Sequence, residues 1–457
     1  MNKIALINVV GLSKRLIGND TPFLKKWSAS KNISSIEPVL PAVTCSVQTT
    51  YLTGKWPNEH GIVANGWFFK ELQEIKLWKQ SNKLVQSESI WDYAKKMNPA
   101  FTCANMFWWY NMYSSVDYAV TPRPQYRANG LKIPDCYSAP ANLRDRLQQV
   151  LGTFPLFDFW GPKTSIKSSK WIADASKLVF DWHRPDLLLV YLPHLDYVLQ
   201  KSGHEQTPLK KDLLEIDKVC ERLILSLEAQ GVQVNIISEY GITDVSTPVH
   251  INRILREMGM ISVRKENGLE LLDPGTSKAF ALADHQVAHI YINDATQKAF
   301  IKEELSNHPG IEWVLDETGQ KEHHLDHERS GDLVIVAKKD HWFTYYYWLD
   351  DTKAPDYART VAIHDKPGYD PVEMFLDPNK KLIIPRIALK LIAKKIGFRT
   401  LMDIIPLDAS LVKGSHGRIQ LEDKDKAIFI GHQVNSNALS PTEIKNTLLT
   451  QIFGTPK

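Results

Sequence analysis

The sequence predicts an α/β fold in which a mostly parallel central sheet lies between helices. Short apolar runs such as Ile4 to Val10 and Leu187 to Leu192 are typical of parallel strands that are covered on both faces. Amphipathic segments near 171–182 and 209–229 supply the covering helices. A length of 457 residues also exceeds one ordinary core, which favours a large core with an inserted subdomain.

The first predicted unit is a strand followed by a helix. Ile4 to Val10 is apolar except at Asn8, and Thr21-Pro22 then starts the predicted helix PFLKKWSAS, where proline fits the first turn. The apolar run is about seven residues long, shorter than a secretory or membrane-spanning segment requires. We therefore expect a strand at this position.

A threonine begins the next helix, in the segment PAVTCSVQTTYLTGKWPNEHGIVANGW at residues 41–67. Backbone N–H groups at a helix start point outward and bind anions. The Thr44 hydroxyl would then lie beside a bound phosphoryl group, as a nucleophile does. An ordinary helix cap is the alternative role for a threonine at such a position.

The same alternation continues at 101–107, 187–192 and 232–238. Polar residues follow two of these strands: Asp196 is the fourth residue after LLLVYL, and Glu239 and Tyr240 come directly after VQVNIIS. Open α/β sheets bind ligands at the carboxyl ends of their strands. We therefore expect these polar side chains to share one site.

Residues 108–170 interrupt the alternation with aromatic residues, proline and glycine (WWYNMY, TPRPQY, FPLFDFWGP), which predicts an ordered, loop-rich wall. We expect Trp108 and Trp109 in this wall either to stack on a substrate base or sugar or to pack against the core.

Residues 248–339 have their own predicted strands and helices, including a hairpin around Asn267-Gly268. The sequence thus predicts a core of residues 1–247 and 340–457 and an inserted cap subdomain of residues 248–339.

Composition predicts a soluble protein with no nucleic-acid or membrane partner. Hydrophobic residues make up 43% of the chain and charged residues 23%, and the net charge is +3 without a basic run long enough for a nucleic-acid track. The four cysteines are scattered and include no C-x-x-C pair, so we expect neither a disulfide framework nor a zinc ribbon. Because unpaired cysteines are usual in a reducing compartment, we expect a cytoplasmic location. Nothing in the sequence indicates the oligomeric state.

The segment from Pro41 to Trp67 resembles the nucleophile segment of the type I phosphodiesterase and nucleotide pyrophosphatase family, within the alkaline phosphatase superfamily. That family reads P-T-x-T-x-P-N-H, then T-G-x-x-P-x-x-H-G-I and an Asn, and TGKWPNEHGIVAN matches the second part. The resemblance implies an alkaline-phosphatase-like fold with a cap over the active site. It also implies that Thr44 is the nucleophile and that Asn65 holds a phosphoryl oxygen.

Several metal-ligand positions of this family are substituted here. Relatives hold two zinc ions with a first-strand Asp, the Thr, an Asp followed four residues later by His, an adjacent Asp-His pair and a late His. Asp196 matches one Asp, but Gln200 replaces the His after it, and Val10 stands at the first-strand position. The adjacent pair is Glu239-Tyr240.

The late histidine is retained as His416 in Gly-Ser-His-Gly. The resemblance thus implies one divalent ion in place of two, with Asp196, His416 and Glu239 as ligands and an open position for chemistry. This ligand set suits zinc, manganese or magnesium. Glu239 or Tyr240 would also have to activate Thr44. We expect Asn65, Gln200, Tyr240, Trp108 and Trp109 to contact substrate.

The sequence therefore predicts a hydrolase that acts on a phosphoester or phosphodiester of a small molecule, such as a nucleotide or sugar phosphate. The competing hypothesis is a family member that lost metal chemistry and now acts as a small-molecule-binding or scaffold protein. Retention of the nucleophile segment favours the enzyme.

Three further polar clusters have simpler interpretations. The run at 284–289, DHQVAH, alternates polar and apolar residues and predicts a strand edge in the cap and not a metal site. The histidines at 323–327 suit a solvated turn. The loop with His364, Lys366 and Asp370 is a candidate lining of the cleft.

Overall fold

The computed structural model describes residues 1–432 and 437–454, so the predicted core range 340–457 extends beyond these residues. The α-helices in the described ranges are α1 Pro22–Ser28, α2 Thr44–Thr53, α3 Pro57–His60, α4 Ile90–Met97, α5 Ala141–Leu151, α6 Leu156–Phe159, α7 Ile166–His183, α8 His194–Ser202, α9 Gln206–Glu228, α10 Ile251–Glu257, α11 Lys298–Ser306, α12 Glu317–Glu322, α13 Ile383–Lys395 and α14 Glu443–Phe453.

The strands up to residue 192 are β1 Ile4–Val9, β2 Asn32–Ile36, β3 Gly66–Phe69, β4 Glu74–Leu77, β5 Cys103–Met106, β6 Tyr118–Pro122, β7 Gln125–Tyr126, β8 Lys132–Ile133, β9 Cys136–Ala139 and β10 Leu187–Leu192. The later strands are β11 Gln233–Ile237, β12 Thr243–Asp244, β13 Thr247–Val249, β14 Val263–Glu266, β15 Leu269–Leu272, β16 Ala279–Asp284, β17 Val287–Ile292, β18 Ile311–Leu315, β19 Leu333–Ala337, β20 His341–Phe343, β21 Gly414–Ser415, β22 Ile428–Gly431 and β23 Ala438–Leu439.

The central sheet confirms the predicted α/β fold. Its described strands run in the order β23-β2-β22-β11-β1-β10-β5-β6-β9, and β1 lies between β10 and β11, parallel to both. All six residues of β1 and of β10 are buried, which explains why both strands are apolar runs, interrupted in β1 only by Asn8. Because these three strands are parallel, the residues that follow them meet at one edge of the sheet.

Helices pack on this sheet in two groups. α7 and α9 pack on each other and contact β10 and β11, whereas α14 contacts β1, α2 and α4. Apolar residues of β1, β10 and β11 form a continuous core with both groups. Burial of this core is the main free-energy gain that fixes the strand ends, where the polar residues begin.

Residues 108–170 form more regular structure than their composition indicates. β6 and β9 extend the central sheet, and α5 follows them. Both strands are short, and β6 ends in proline, so their alternation is too brief to detect in the sequence.

A second, four-stranded antiparallel sheet has the order β16-β17-β19-β18 and its own apolar core with α10 and α11. The hairpin predicted around Asn267-Gly268 is present as β14 and β15. A third apolar cluster joins this part to the nucleophile segment, since Cys45, Trp67 and Phe280 belong to it. In the described part of the chain, no helix has both the length and the apolar character needed to cross a bilayer.

Candidate active site

Thr44 lies at the start of α2, but it does not cap the helix. The N-cap residue is Val43, and Thr44 is the first helical residue, 4% exposed. The Thr44 Oγ1 lies 3.0 Å from the Tyr240 Oη. The structure therefore removes the helix-cap alternative and places the hydroxyl in a hydrogen bond with a side chain from the end of β11.

Asn65 contacts the same helix start. Its Oδ1 accepts a hydrogen bond from the Cys45 backbone N–H at 3.0 Å, while its backbone N–H and Nδ2 donate to the two carboxylate oxygens of Asp284, each at 3.0 Å. Burial raises the pKa of Asp284 to about 6, although the bonds from Asn65 oppose the shift. Asn65 is thus held beside Thr44, and its second Nδ2 hydrogen remains for a ligand.

Tyr240 connects three site residues. Its Oη contacts Thr44 and also donates to the Asp196 Oδ1 at 3.3 Å, and its ring stacks on His416 with centroids 3.6 Å apart. Burial raises the pKa of Tyr240 well above its usual value, so the phenol stays neutral at physiological pH. Tyr240 thus links the nucleophile candidate to Asp196 and His416, at the position where the family resemblance implied a metal-binding histidine.

Asp196 and Gln200 lie one turn apart on α8. The Gln200 Nε2 donates to the Asp196 Oδ2 at 2.8 Å, and the Gln200 Oε1 accepts from the Tyr369 Oη at 2.8 Å. Burial raises the pKa of Asp196 to about 7, and the bonds from Gln200 and Tyr240 oppose that shift. The Nε2 and the Oε1 of Gln200 are therefore both hydrogen-bonded to protein side chains.

His416 presents a neutral imidazole to Asp196. Its Nδ1 lies 2.7 Å from the Ala42 carbonyl oxygen, so Nδ1 carries the proton and donates it there. The Nε2 is enclosed without a hydrogen-bond partner and lies 3.8 Å from the Asp196 Oδ1. Burial lowers the pKa of His416 to about 3. A lone pair and a carboxylate oxygen that face each other in this way fit two ligands of a divalent ion.

Glu239 lies on the other side of Thr44 and is bound to two amides. Its Oε1 accepts from the Asn8 Nδ2 at 2.6 Å and from the Gln48 Nε2 at 2.5 Å. Burial raises the pKa of Glu239 to about 8, against the effect of these bonds. Asn8 is a site residue that the sequence analysis missed; it lies on the same strand face as Val10, two residues earlier.

The three predicted ligands do not meet at one point. Within residues 1–432 and 437–454, the carboxylate, imidazole and thiol groups whose ligand atoms all lie within 4.8 Å of one another are His194, Asp212 and Glu215. The His194 Nε2 is 2.7 Å from the Asp212 Oδ1, between α8 and α9. The candidate active site thus has a ligand pair, Asp196 and His416, with Glu239 apart from it.

The two predicted substrate-binding tryptophans differ in position. Trp108 is fully buried in the central core, which is the packing alternative that the sequence left open. Trp109 is only partly buried; its backbone N–H donates to the Gln48 Oε1 at 2.7 Å, and its ring lies 4.9 Å from that of Trp78. Only Trp109 lies at the edge of the site.

The second sheet contributes a hairpin turn that sequence analysis did not place in the site. The run at 284–289 is buried and comprises the last residue of β16, a turn at His285 and Gln286, and the first three residues of β17. His285 in this turn has a φ of 61°, and its ring centroid lies 3.6 Å from that of His416 and 3.8 Å from that of Tyr369. The positive φ of a non-glycine residue was the one signal of a functional position, and it is not readable from sequence.

The loop predicted to line the cleft is an ion cluster. The Lys366 Nζ lies 2.7 Å from the Asp370 Oδ2 and 2.8 Å from the Glu373 Oε1, and all three side chains are buried. The Trp160 Nε1 donates to the Glu373 Oε2 at 2.5 Å, and its ring lies 5.6 Å from that of Tyr369. The loop therefore supports the aromatic side of the site.

This arrangement agrees with the comparison to protein families. The family model described as type I phosphodiesterase / nucleotide pyrophosphatase matches residues 4–370, which include Thr44, Asn65, Asp196 and Glu239. The chain belongs to this family. His416 lies outside the matched range.

Curated relatives of the family are similar over part of their length. An ectonucleotide pyrophosphatase/phosphodiesterase 1 of Saccharomyces cerevisiae is 24% identical over 414 residues, covering 80% of this chain and 50% of the relative. An uncharacterized pyrophosphatase/phosphodiesterase of Schizosaccharomyces pombe is 27% identical over 219 residues, covering 46% and 38%. The chain thus spans half or less of the length of these relatives.

Solved structures share the fold. Phosphonoacetate hydrolase from Sinorhizobium meliloti, in complex with phosphonoformate, matches with a TM-score of 0.63 and 13% identity, over 99% of this chain and 96% of that one. An inactive murine ectonucleotide pyrophosphatase/phosphodiesterase 5, in complex with AMP, matches with a TM-score of 0.59 and 13% identity, over 100% and 96%. The fold is therefore alkaline-phosphatase-like.

Proposed function

We propose that this family member hydrolyses phosphodiester or pyrophosphate bonds of small molecules by attack of the Thr44 hydroxyl on phosphorus. The observation that carries the proposal is the hydrogen-bonded path from the Thr44 Oγ1 to the Tyr240 Oη at 3.0 Å and on to the Asp196 Oδ1 at 3.3 Å. Family membership supports the reaction class. Nucleotides are the proposed substrate class, since one structural neighbour holds AMP.

The path to Asp196 accounts for activation of the threonine. As Thr44 attacks, its proton passes to the Tyr240 oxygen, and the Tyr240 proton passes to the Asp196 carboxylate. A pKa of about 7 suits Asp196 to this task, because a general base works best near the ambient pH. The phosphorus–oxygen bond to the leaving group breaks, and water later hydrolyses the phosphothreonine.

The start of α2 and Asn65 would bind the phosphoryl group. Helix N-termini favour anions, and the free hydrogen of the Asn65 Nδ2 supplies a donor beside Thr44. His416 and Asp196 would hold a divalent ion, which would supply a Lewis acid for a phosphoryl oxygen; because the Asp196 Oδ1 is also the proton acceptor of the path, the ion and the proton would compete for that oxygen. We further propose a cytoplasmic location, which the four buried, unpaired cysteines support.

Hydrolysis of a chromogenic phosphodiester tests the proposal, after chelation and with zinc, manganese or magnesium added separately. Wild type should turn over with at least one ion, Thr44→Ala should lose roughly 10³-fold or more in kcat/KM, and Thr44→Ser should retain part of the activity. Turnover that Thr44→Ala leaves unchanged would contradict the proposal. Binding of AMP without turnover under every condition would instead support the small-molecule-binding alternative.

A further inference from the structure

Helix α13 and the residues around it expose many large apolar side chains. Eight large apolar side chains between residues 382 and 401 are 49% to 75% exposed, and no residue of α13 is buried. These apolar residues are Leu382, Ile384, Leu389, Leu391, Ile392, Ile396, Phe398 and Leu401. A continuous exposed apolar surface of this kind marks an interaction site.

The apolar side of the helix points away from the protein. Leu389, Ile392 and Ile396 follow the three- and four-residue spacing of one helix face, and all three are exposed. Ile383 and Ile387, on another face, are partly covered. α13 thus has apolar side chains on its outward face as well, whereas an ordinary surface helix turns its apolar face toward the core and a polar face outward.

The segment is strongly basic. Between Asp377 and Asp403 the sequence has no acidic residue but has seven basic ones, whereas the whole chain has a net charge of only +3. The basic residues are Lys380, Lys381, Arg386, Lys390, Lys394, Lys395 and Arg399. Such a segment fits a partner surface with negative charge on the outside, which lysine and arginine contact, and apolar material beneath it, which the apolar side chains enter.

The two ends of this segment are held together, so that it forms a closed loop on the protein surface. The Asp377 backbone N–H donates to the Ile404 carbonyl oxygen at 2.9 Å, so the two ends of the excursion meet. The Asp403 carboxylate then binds Lys380, with the Nζ at 3.2 Å from Oδ2, and also Lys390. These contacts fix the base and leave the apolar side outward.

We propose that residues 378–402, with α13 at their centre, bind the surface of an anionic phospholipid bilayer. Ile384, Leu389, Ile392 and Ile396 enter the boundary between headgroups and acyl chains, and Lys381, Arg386, Lys395 and Arg399 contact the phosphates. With thirteen residues, α13 lies in the plane of the interface and does not span the bilayer. The cytoplasmic leaflet carries the negative charge that this segment fits. The surface modifies the expectation, drawn from composition, that no membrane partner exists.

Flotation of the full chain with vesicles tests this proposal. Wild type should float with phosphatidylcholine vesicles that contain phosphatidylserine and stay behind with pure phosphatidylcholine. The triple variant Leu389→Gln, Ile392→Gln, Ile396→Gln should lose flotation. The triple variant Lys381→Gln, Arg386→Gln, Lys395→Gln should bind roughly tenfold or more weakly, with a smaller dependence on salt.

A matched control removes three exposed apolar side chains elsewhere, by Leu72→Gln, Val150→Gln and Leu225→Gln, and should float like wild type. Circular dichroism and thermal unfolding verify that every variant is folded, which is expected because the substituted side chains are exposed. Absence of flotation by wild type would overturn the proposal and leave an acidic protein as the partner of this segment. A wild-type oligomer that the apolar triple variant converts to monomers would overturn it in favour of a second copy of this chain.

Discussion

Tyr240 shows how one substitution changes the chemistry available to the nucleophile. Its phenol contacts Thr44 at 3.0 Å and Asp196 at 3.3 Å, and its ring stacks on His416. The family resemblance implied a metal-binding histidine at this position, whereas the phenol of Tyr240 forms hydrogen bonds with two oxygens. The proposed activation of Thr44 rests on this oxygen.

Tyr240→Phe removes the oxygen and keeps the ring. We expect kcat/KM for phosphodiester hydrolysis to fall by about 10²- to 10⁴-fold, the usual contribution of a general acid–base group. Thermal stability should change little, because the stack on His416 remains. Tyr197→Phe is a matched control on α8, next to Asp196, and should keep most of the activity. Equal rates for wild type and Tyr240→Phe would exclude the path through this phenol.

The pKa of Asp196 predicts a pH dependence. The carboxylate accepts a proton only when ionised, so kcat/KM should rise with pH and level off above the pKa of Asp196, which burial raises to about 7 in the metal-free protein and which a bound divalent ion would lower. Two other buried carboxyl groups of the site could produce such a limb: Glu239, with a pKa raised to about 8, and Asp284, with a pKa raised to about 6. Steady-state rates from pH 5 to 9 for wild type, Glu239→Gln and Asp284→Asn separate the three groups. A limb that persists in both variants supports Asp196, and its loss in one variant assigns it to the residue replaced there.

At the scale of elements, the turn after β11 places Tyr240 and depends on a glycine. A Cβ on Gly241 would lie 1.5 Å from the Asp425 carbonyl oxygen, a backbone atom that cannot rotate away. The chain therefore passes so close to the segment before β22 that only glycine fits.

Gly241→Ala should thus force the two backbones apart. We expect a loss of about 3 kcal/mol in the free energy of unfolding, at the upper end of overpacking effects. Denaturant unfolding monitored by fluorescence measures it. Gly18→Ala is the control, since no atom lies within 4 Å of its added Cβ, and should change stability by no more than about 0.5 kcal/mol. Equal effects of both substitutions would show that the close approach is not maintained in solution.

Elements with a strong local pattern were predictable from the sequence. The apolar runs of β1 and β10, the helix at Thr44 and the hairpin β14–β15 all appear within a few residues of their predicted bounds. β6 and β9 were missed because four or five residues give too little alternation. The local pattern thus predicted only the elements that are long enough, or have a clear enough turn, to be recognised without their neighbours.

At the scale of the whole molecule, the site is assembled from segments far apart in the chain. Asn8, Thr44, Asp196, Tyr240 and His416 come from separate elements, and their meeting follows from the parallel order of β11, β1 and β10. The strand ends predicted that Asp196 and Tyr240 share one site, the family resemblance added Thr44 and His416, and Asn8 was not predicted. Long-range packing was not readable: Asp284 and His285 reach the site from the second sheet because a shared apolar cluster holds that sheet against the nucleophile segment.

The separation of Glu239 from Asp196 and His416 is also a whole-molecule property. The family resemblance implied three ligands, but not that Asn8 and Gln48 hold Glu239 through its Oε1. Those partners lie on β1 and α2, and no local rule connects them with residue 239. The sequence therefore predicts which of these residues lie in the site more reliably than which of them could bind the same ion.

Trapping the covalent intermediate tests the central claim, that the Thr44 hydroxyl attacks phosphorus, most directly. Wild type is mixed with excess nucleotide substrate, quenched in acid within one turnover and digested, and the peptides are analysed by mass spectrometry. We predict a phosphoryl or nucleotidyl adduct on Thr44 that is absent from Thr44→Ala. Hydrolysis that proceeds with no adduct on the peptide containing residue 44, or with the adduct on another side chain, would contradict the account.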